Sequence, residues 1–251
     1  MNAPDLLSAA ESPRALDAVN RWLAQRSASE RTEWALATLA GEHALSSSFG
    51  AQSALALHLV TRIRPDIPVI LIDTGYLFPE TYRFADELAE RLRLNLKVFR
   101  PRLGTAWMEA RHGRLWEHGL EGLALYNRLR KLEPMQRALD ELGVRTWIAG
   151  IRRAQSDSRV HTPFLELREG RWKLHPFADW SDYDVAEYLQ QYDLPWHPLW
   201  HQGFPSIGDR HTSRRLQPGM REQDTRFFGL KRECGLHYDD APMVATGGSR
   251  L

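Results

Sequence analysis

The chain has 251 residues, 43% hydrophobic and 26% charged, proportions that exclude disorder over most of its length. Mean hydropathy is −0.47, and no apolar run approaches the roughly 20 residues that span a bilayer. Lys and Arg total 33 against 32 Asp and Glu, so there is no global basic field for nucleic acid and any anion site must arise from local clustering.

The N-terminal stretch MNAPDLLSAAESP carries acids where an export signal would be basic and then apolar, so a cytoplasmic location is expected. Two helices are expected within the first 40 residues, from Ala15, Val19, Trp22 and Leu23 and then Trp34, Ala35, Leu36 and Leu39 at helical spacing. Strands and helices alternate after that. His43–Ser47 reads as a strand, followed by an amphipathic helix through Leu55, Leu57, Leu59 and Val60. The run Pro68–Asp73 is continuously apolar up to its acid, as in a strand buried on both faces. Pro79 opens a helix to about Leu92, Leu94–Phe99 is a strand, helices fill 104–142, and Thr146–Gly150 is a further strand. This alternation predicts an α/β layered domain built on a Rossmann-like parallel sheet. Phe164–Leu167 and Trp172–Leu174 read as a hairpin around Glu169-Gly170, and Asp182–Gln191 as a helix. The region 193–222, rich in Pro, Gly, His and Trp, is expected to be irregular, and 238–251 a flexible tail. The division expected is 1–40 as packed N-terminal helices, 41–237 as one domain, and 238–251 as tail.

Ligands of parallel sheets bind beyond the carboxyl ends of the strands. The first strand ends in Ser46-Ser47-Ser48-Phe49-Gly50-Ala51-Gln52-Ser53 just before a helix, where hydroxyls, backbone N–H groups and the helix N-terminus suit a phosphate; a plain serine cap is the alternative. Asp73-Thr74-Gly75 ends the second strand and can hold a ribose or a metal, or only cap a turn. Gly150-Ile151-Arg152-Arg153 and Arg159 follow the fourth strand, and guanidinium groups there can clamp phosphate or sulfate oxygens. More basic residues crowd the last third: Arg210, Arg214, Arg215, Arg221, Arg226, Lys231 and Arg232.

Cys234 is the only cysteine in the sequence, so no internal disulfide and no cysteine-ligated cluster can be built from this chain alone. Its neighbours Lys231 and Arg232 favour the thiolate, and its polar, near-terminal setting favours a reactive role over an inert buried one. His197 and His201 are four apart, but Pro198 lies between them and no third ligand is evident, so no metal is assigned there. Trp196 and Trp200 are read as packing residues.

The segments SSSFGAQS (46–53), DTGYLFPETY (73–82), GIRRAQSDSR (150–159), HPLWHQGFPSIGDRHTSRR (197–215) and TRFFGLKRECGLH (225–237) resemble those of the 3′-phosphoadenylyl-sulfate (PAPS) reductases of assimilatory sulfate reduction. The resemblance implies an adenine nucleotide α-hydrolase-like fold, a homodimer, and an oxidoreductase acting on PAPS with thioredoxin or glutaredoxin as electron donor. Cys234 would be the nucleophile and carry an S-sulfo group, with His237 as a candidate for proton transfer. Lys131 and Arg226 match positions that bind the phosphosulfate in the family. Arg152 and Arg159 would join them over the Ser46–Ser53 loop, with Arg214 or Arg215 on the 3′-phosphate and the adenine near Leu71–Gly75. The adenylyl-sulfate (APS) branch of the family holds an iron–sulfur cluster on two cysteine pairs. The matching stretches here, Arg130–Pro134 and Gly208–Thr212, contain no cysteine, which implies the PAPS branch, no cluster and no bound cofactor.

A more distant resemblance is to ATP pyrophosphatases with an S-G-G-x-D-S loop. Phe49 and Gln52 replace a glycine and the acid of that loop, which argues against ATP cleavage. An APS reductase without a cluster, an ATP pyrophosphatase-type adenylyl-transferring enzyme and a non-enzymatic anion binder remain the alternatives; no nucleic-acid or membrane partner is expected.

Overall fold

The computed structural model describes residues 12–230, 233, 235 and 236. Two helices open it, α1 (Pro13–Leu23) and α2 (Ala28–Thr38). The alternating part follows as β1 (Glu42–Ser46), α3 (Ser53–Ile63), β2 (Pro68–Ile72), α4 (Pro79–Arg91) and β3 (Asn95–Phe99). After α5 (Thr105–His112), α6 (Gly119–Asn127) runs through a π-turn (Arg128–Leu132) into α7 (Glu133–Glu141). Then come β4 (Val144–Ala149), the hairpin β5 (Leu165–Arg168) and β6 (Arg171–Leu174), and α8 (Asp182–Gln191).

The six strands form one sheet in the order β3-β2-β1-β4-β6-β5. All neighbours are parallel except β5 and β6. The sheet is therefore parallel except at the hairpin that the sequence predicts around Glu169-Gly170. The reason is local. Glu169 and Gly170 both have positive φ, 49° and 74°, the two-residue turn that only antiparallel strands accept. The hairpin docks its second strand parallel to β4 and leaves β5 as the edge.

Alternation along the central strands sorts the core. Leu45, Val69 and Leu71 face the larger apolar layer with α1–α4 and α8, while Ala44, Ile70 and Ile72 face Met135, Ala138 and Leu139 of α7. The N-terminal helices are tied down by Arg31, wholly buried. It donates to Leu23 O and Pro176 O at 2.9 and 2.8 Å, forks onto Asp179 at 2.6 and 2.7 Å, and lies over the Phe164 ring.

The order in which strands are added reverses between β1 and β4, which run parallel. From β1 the chain moves outward through β2 to β3, then returns to place β4 on the other side of β1, with Ser46 in register with Ala149. The loops after these two strands diverge, which opens a crevice at their carboxyl ends.

Candidate active site

The crevice is a cavity of about 270 Å³. One wall is the loop after β1. Its cradle shape depends on Phe49, whose φ is +48° and whose ring is wholly buried. Gly50 follows with Ile207 O only 3.2 Å from where a Cβ would stand, so the 197–230 segment closes directly on this turn. The N-cap of α3, Gln52, makes no side-chain cap; the Ser53 and Leu55 amides donate instead to Gly50 O at 3.2 Å and Gln52 O at 3.4 Å, and the positive end of the helix faces the cavity. The Ser46 hydroxyl accepts from Trp147 Nε1 at 2.7 Å, and Ser53 Oγ donates to Gly50 O at 2.9 Å.

The opposite wall follows β4. Arg152 is buried and extends from residues in β conformation. It donates to Asp182 Oδ1 at 2.7 Å, to Trp180 O at 3.2 Å and to Gln52 Oε1. Arg159 forks onto Glu233 at 2.8 Å through both Nε and Nη2.

The floor comes from the π-turn. Pro134 lies inside an otherwise continuous helix, where its ring would press on the carbonyl of Arg130. The wider turn accommodates it and buries Arg130 and Lys131 side by side. Arg130 donates to Thr74 O at 3.0 Å and to Leu103 O, supporting the end of β2. Lys131 Nζ lies 2.7 Å from Asp209 Oδ2, and Thr74 Oγ1 donates to Asp209 Oδ1. Burial alone would raise the Asp209 carboxyl; Lys131, with hydrogen bonds from it and from Thr74, outweighs that and holds it at about 2. Beside it His211, stacked on Trp116 at 3.7 Å, is pushed down to about 4 by burial. The stretches Arg130–Pro134 and Gly208–Thr212 thus meet through the Lys131–Asp209 ion pair.

Arg226 completes the rim. Its Nη1 lies 3.4 Å from Ser206 Oγ and its Nε 3.4 Å from Thr212 O. Its guanidinium occupies the space where a Cβ at Gly208 would stand. Among the described residues four cations therefore face one cleft, and carboxylates of Asp209, Asp182 and Glu233 sit against Lys131, Arg152 and Arg159.

Of the residues expected at the site, Ser46, Ser47, Ser48, Gly50, Gln52, Ser53, Thr74, Lys131, Gly150, Arg152, Arg159 and Arg226 line the cavity. Others lie elsewhere. Phe49 packs into the core. Asp73 caps its own turn, accepting from Gly75 N at 2.9 Å, Tyr82 Oη at 2.6 Å and Arg100 Nε at 2.8 Å; with Gly75 it stays off the cavity. Arg153 turns away to Thr162 O and the Phe164 ring. Arg214 holds Asp224 O, and Arg215 reaches Gln202. Within Leu71–Gly75 only Ile72 and Thr74 face the cleft. Cys234 and His237 lie outside the described residues, as do Lys231, Arg232 and the 238–251 tail. Sequence reasoning missed Asp209, Asp182, Gln155 and Glu233, which show no local pattern. His197 is a packing histidine against Thr81 and Phe84, and among the described residues no His, Cys, Asp and Glu cluster suits a metal. Trp196 and Trp200 stack at 4.7 Å, and Trp200 also lines the cavity.

A mostly parallel sheet with a cation-lined cleft at its switch point defines an α/β protein of the nucleotide-binding kind. Residues 42–215 match the phosphoadenosine phosphosulfate reductase domain, and the chain belongs to that family. It is 65% identical over 224 residues to the phosphoadenosine 5′-phosphosulfate reductase of Xanthomonas oryzae pv. oryzae, covering 89% of this chain and 93% of that one. The enzyme of the same name from Alkalilimnicola ehrlichii is 61% identical over 225 residues, 90% of this chain and 92% of its own. Among solved structures, the PAPS reductase of Candida auris in a phosphate complex superposes with a TM-score of 0.71 at 29% identity, over 81% of this chain and 98% of that one. Candida glabrata FMN adenylyltransferase, at 16% identity and a TM-score of 0.55 over 77% of this chain and 66% of its own, shares the fold alone.

Proposed function

We propose that this chain reduces 3′-phosphoadenylyl sulfate to sulfite and adenosine 3′,5′-bisphosphate, with Cys234 as nucleophile and thioredoxin as the dithiol donor. One observation carries the reading. Glu233 is held by a cation of the cleft and Leu236 lines its wall, so described residues on either side of Cys234 lie at the anion site.

The Cys234 thiolate attacks the sulfur of the phosphosulfate, an S–S bond forms, and the S–O bond breaks with its electron pair leaving on the nucleotide phosphate. A thiolate of the donor then attacks the Cys234 sulfur, and sulfite departs with the S–S electron pair. The donor's second thiol resolves the mixed disulfide. The donor loses two electrons, sulfate sulfur gains two, and the Cys234 thiol is restored. Negative charge gathers on the departing phosphate, which is where Lys131, Arg152 and Arg226 act, because cations there stabilise the transition state more than the substrate. The apolar side of the cleft, with Ala56, Ile72, Met135 and Ile151, suits a purine ring.

The test is sulfite release with reduced thioredoxin from PAPS and from APS, by the wild type and by Cys234→Ser. Release from PAPS that disappears in the variant is expected. Release that survives Cys234→Ser sinks the nucleophile, and better release from APS sinks the substrate assignment. The homodimer and cytoplasmic location that the family implies belong to the same reading; sedimentation of the purified protein checks the first.

A further inference from the structure

Arg159 stands among the cleft's cations, yet its guanidinium is engaged by the chain's own Glu233. Nε and Nη2 each donate to a different oxygen of Glu233 at 2.8 Å, and Nη1 donates to Gln155 Oε1. Ser158 Oγ donates to the same carboxylate at 2.8 Å and Ser156 Oγ at 3.4 Å. The two charged side chains are only 14% and 10% exposed. A forked pair of this kind fixes angle as well as distance. Glu233 immediately precedes Cys234, and the residues just after it are held too. Gly235 adopts φ +86° and lies close to Leu132, 3.3 Å from where its Cβ would stand, and Leu236 O accepts from Lys173 Nζ at 3.3 Å.

We propose that Glu233 is a positioning residue for Cys234: its carboxylate, seated on Arg159, holds the chain at residues 233, 235 and 236 against the cleft, and Arg159 is the anchor of that stretch, not a substrate contact. The inference rests on Cys234 being the nucleophile. The two half-reactions ask opposite things of this anchor. Sulfo transfer needs the segment seated at the cleft. Release to a protein dithiol needs the same segment reachable from outside, so a weaker anchor slows the first half and spares or speeds the second.

Because Cys234 is the only cysteine, alkylation of the full substrate-free protein by iodoacetamide reads its accessibility without any turnover. Glu233→Gln and Arg159→Gln should each react about tenfold faster than wild type, the effect of losing one charge-assisted contact. The double variant should be no faster than either single one, since both remove the same interaction. If Glu233 only tunes the thiol through space, the signs split: removing the carboxylate speeds alkylation and removing the guanidinium slows it. That split, or rates unchanged in both variants, overturns the anchor. In single turnover with PAPS, both variants should form the S-sulfo adduct at least tenfold more slowly. The isolated adduct should yield sulfite to reduced thioredoxin at the wild-type rate or faster. Equal slowing of both halves overturns the positioning role. Failure of the wild type to form any adduct removes the nucleophile and the positioning role with it, while the alkylation pattern still decides whether the anchor exists.

Discussion

The Lys131–Asp209 pair is the cleft's most buried charge contact, with side chains 9% and 1% exposed. A carboxyl held at about 2 in place of 3.8 contributes about 2 kcal/mol to folding, present above pH 3.8 and lost as pH falls through 2. Asp209→Asn removes that contribution and leaves the Lys131 ammonium without its counter-charge, so the expected loss is about 3 kcal/mol. The amide can still accept from Thr74, which confines the effect to the charge. Lys131→Met leaves Asp209 as a buried lone anion at the floor of an anion site, and should cost a similar amount. Removing both partners removes the unpaired charge, so the double variant should recover about 2 kcal/mol relative to the sum of the singles. Urea denaturation of the four proteins at pH 7 measures the cycle. A coupling below about 0.5 kcal/mol, the level of an exposed pair, would falsify the buried-pair account. Titration with adenosine 3′,5′-bisphosphate supplies the functional counterpart: Lys131→Met should weaken binding more than tenfold, and more than Asp209→Asn does.

Other outcomes follow from the same geometry. Arg152→Gln should weaken binding of the same nucleotide by about tenfold, through loss of a guanidinium that also ties Gln52 to Asp182; calorimetric titration checks it. Arg31→Ala should cost about 3 kcal/mol in urea denaturation while KM for PAPS stays within about twofold, because Arg31 joins α1 and α2 to the body away from the cleft. Burial holds His175, His197 and His211 down at about 3, 4 and 4. Their folded values lie below the unfolded 6.5, so the stability is present above pH 6.5 and is lost as pH falls toward 4. Each contributes a slope of about 1.4 kcal/mol per pH unit and the three together up to about 4. Thermal melts across pH 7 to 4.5 measure this, and a flat profile refutes the neutral buried assignment.

The sheet was legible because its signals are local. A run such as Pro68–Ile72 is apolar at every position and can only be a doubly buried strand, and Glu169-Gly170 names its own turn. The cradle, Arg152 and Arg159 were legible for the same reason, since they follow the ends of β1 and β4, whereas Lys131 and Arg226 follow no strand end and came only from the family resemblance. Two kinds of information were not local. One is which of two adjacent arginines turns inward. Arg152 is extended and Arg153 opens a 3-10 turn, and only the position of α8 beside the cleft decides that the first meets Asp182 while the second meets Thr162 and Phe164. The other is where the neutralising carboxylates come from. Asp209 and Glu233 reach the site through an irregular segment folded back over the sheet, held by single bridges such as Leu77 with Asp209 and Ser213 with Arg226. Nothing in the residues around Lys131 or Arg159 encodes that return. Asp73 misled for the opposite reason: an acid before glycine at a strand end satisfies its own turn as readily as a ligand.

Phe49 shows how the loop after β1 keeps a glycine-like shape without glycine. At φ +48° an aromatic residue bears a left-handed backbone cost of about 1–2 kcal/mol, which its complete burial must offset. Removing the ring costs about 3–5 kcal/mol by cavity formation alone, so packing outweighs the strain and the residue is retained in that conformation. The two contributions can be separated. Phe49→Ala and Phe49→Gly lose the same ring, but alanine keeps the left-handed cost and glycine does not. Against this, glycine gains more unfolded-state entropy, by about 0.4–1 kcal/mol. If the backbone is left-handed, the strain relieved equals or exceeds that gain, and Phe49→Gly should be at least as stable as Phe49→Ala, by up to about 1 kcal/mol. If the backbone there were ordinary, only the entropy difference would remain and alanine would win by about that amount. Urea denaturation of the two variants side by side decides it. An alanine variant clearly more stable than the glycine one would mean that the turn over the anion cavity is not the one described, and the placement of Gly50, Gln52 and the amides of α3 would fall with it.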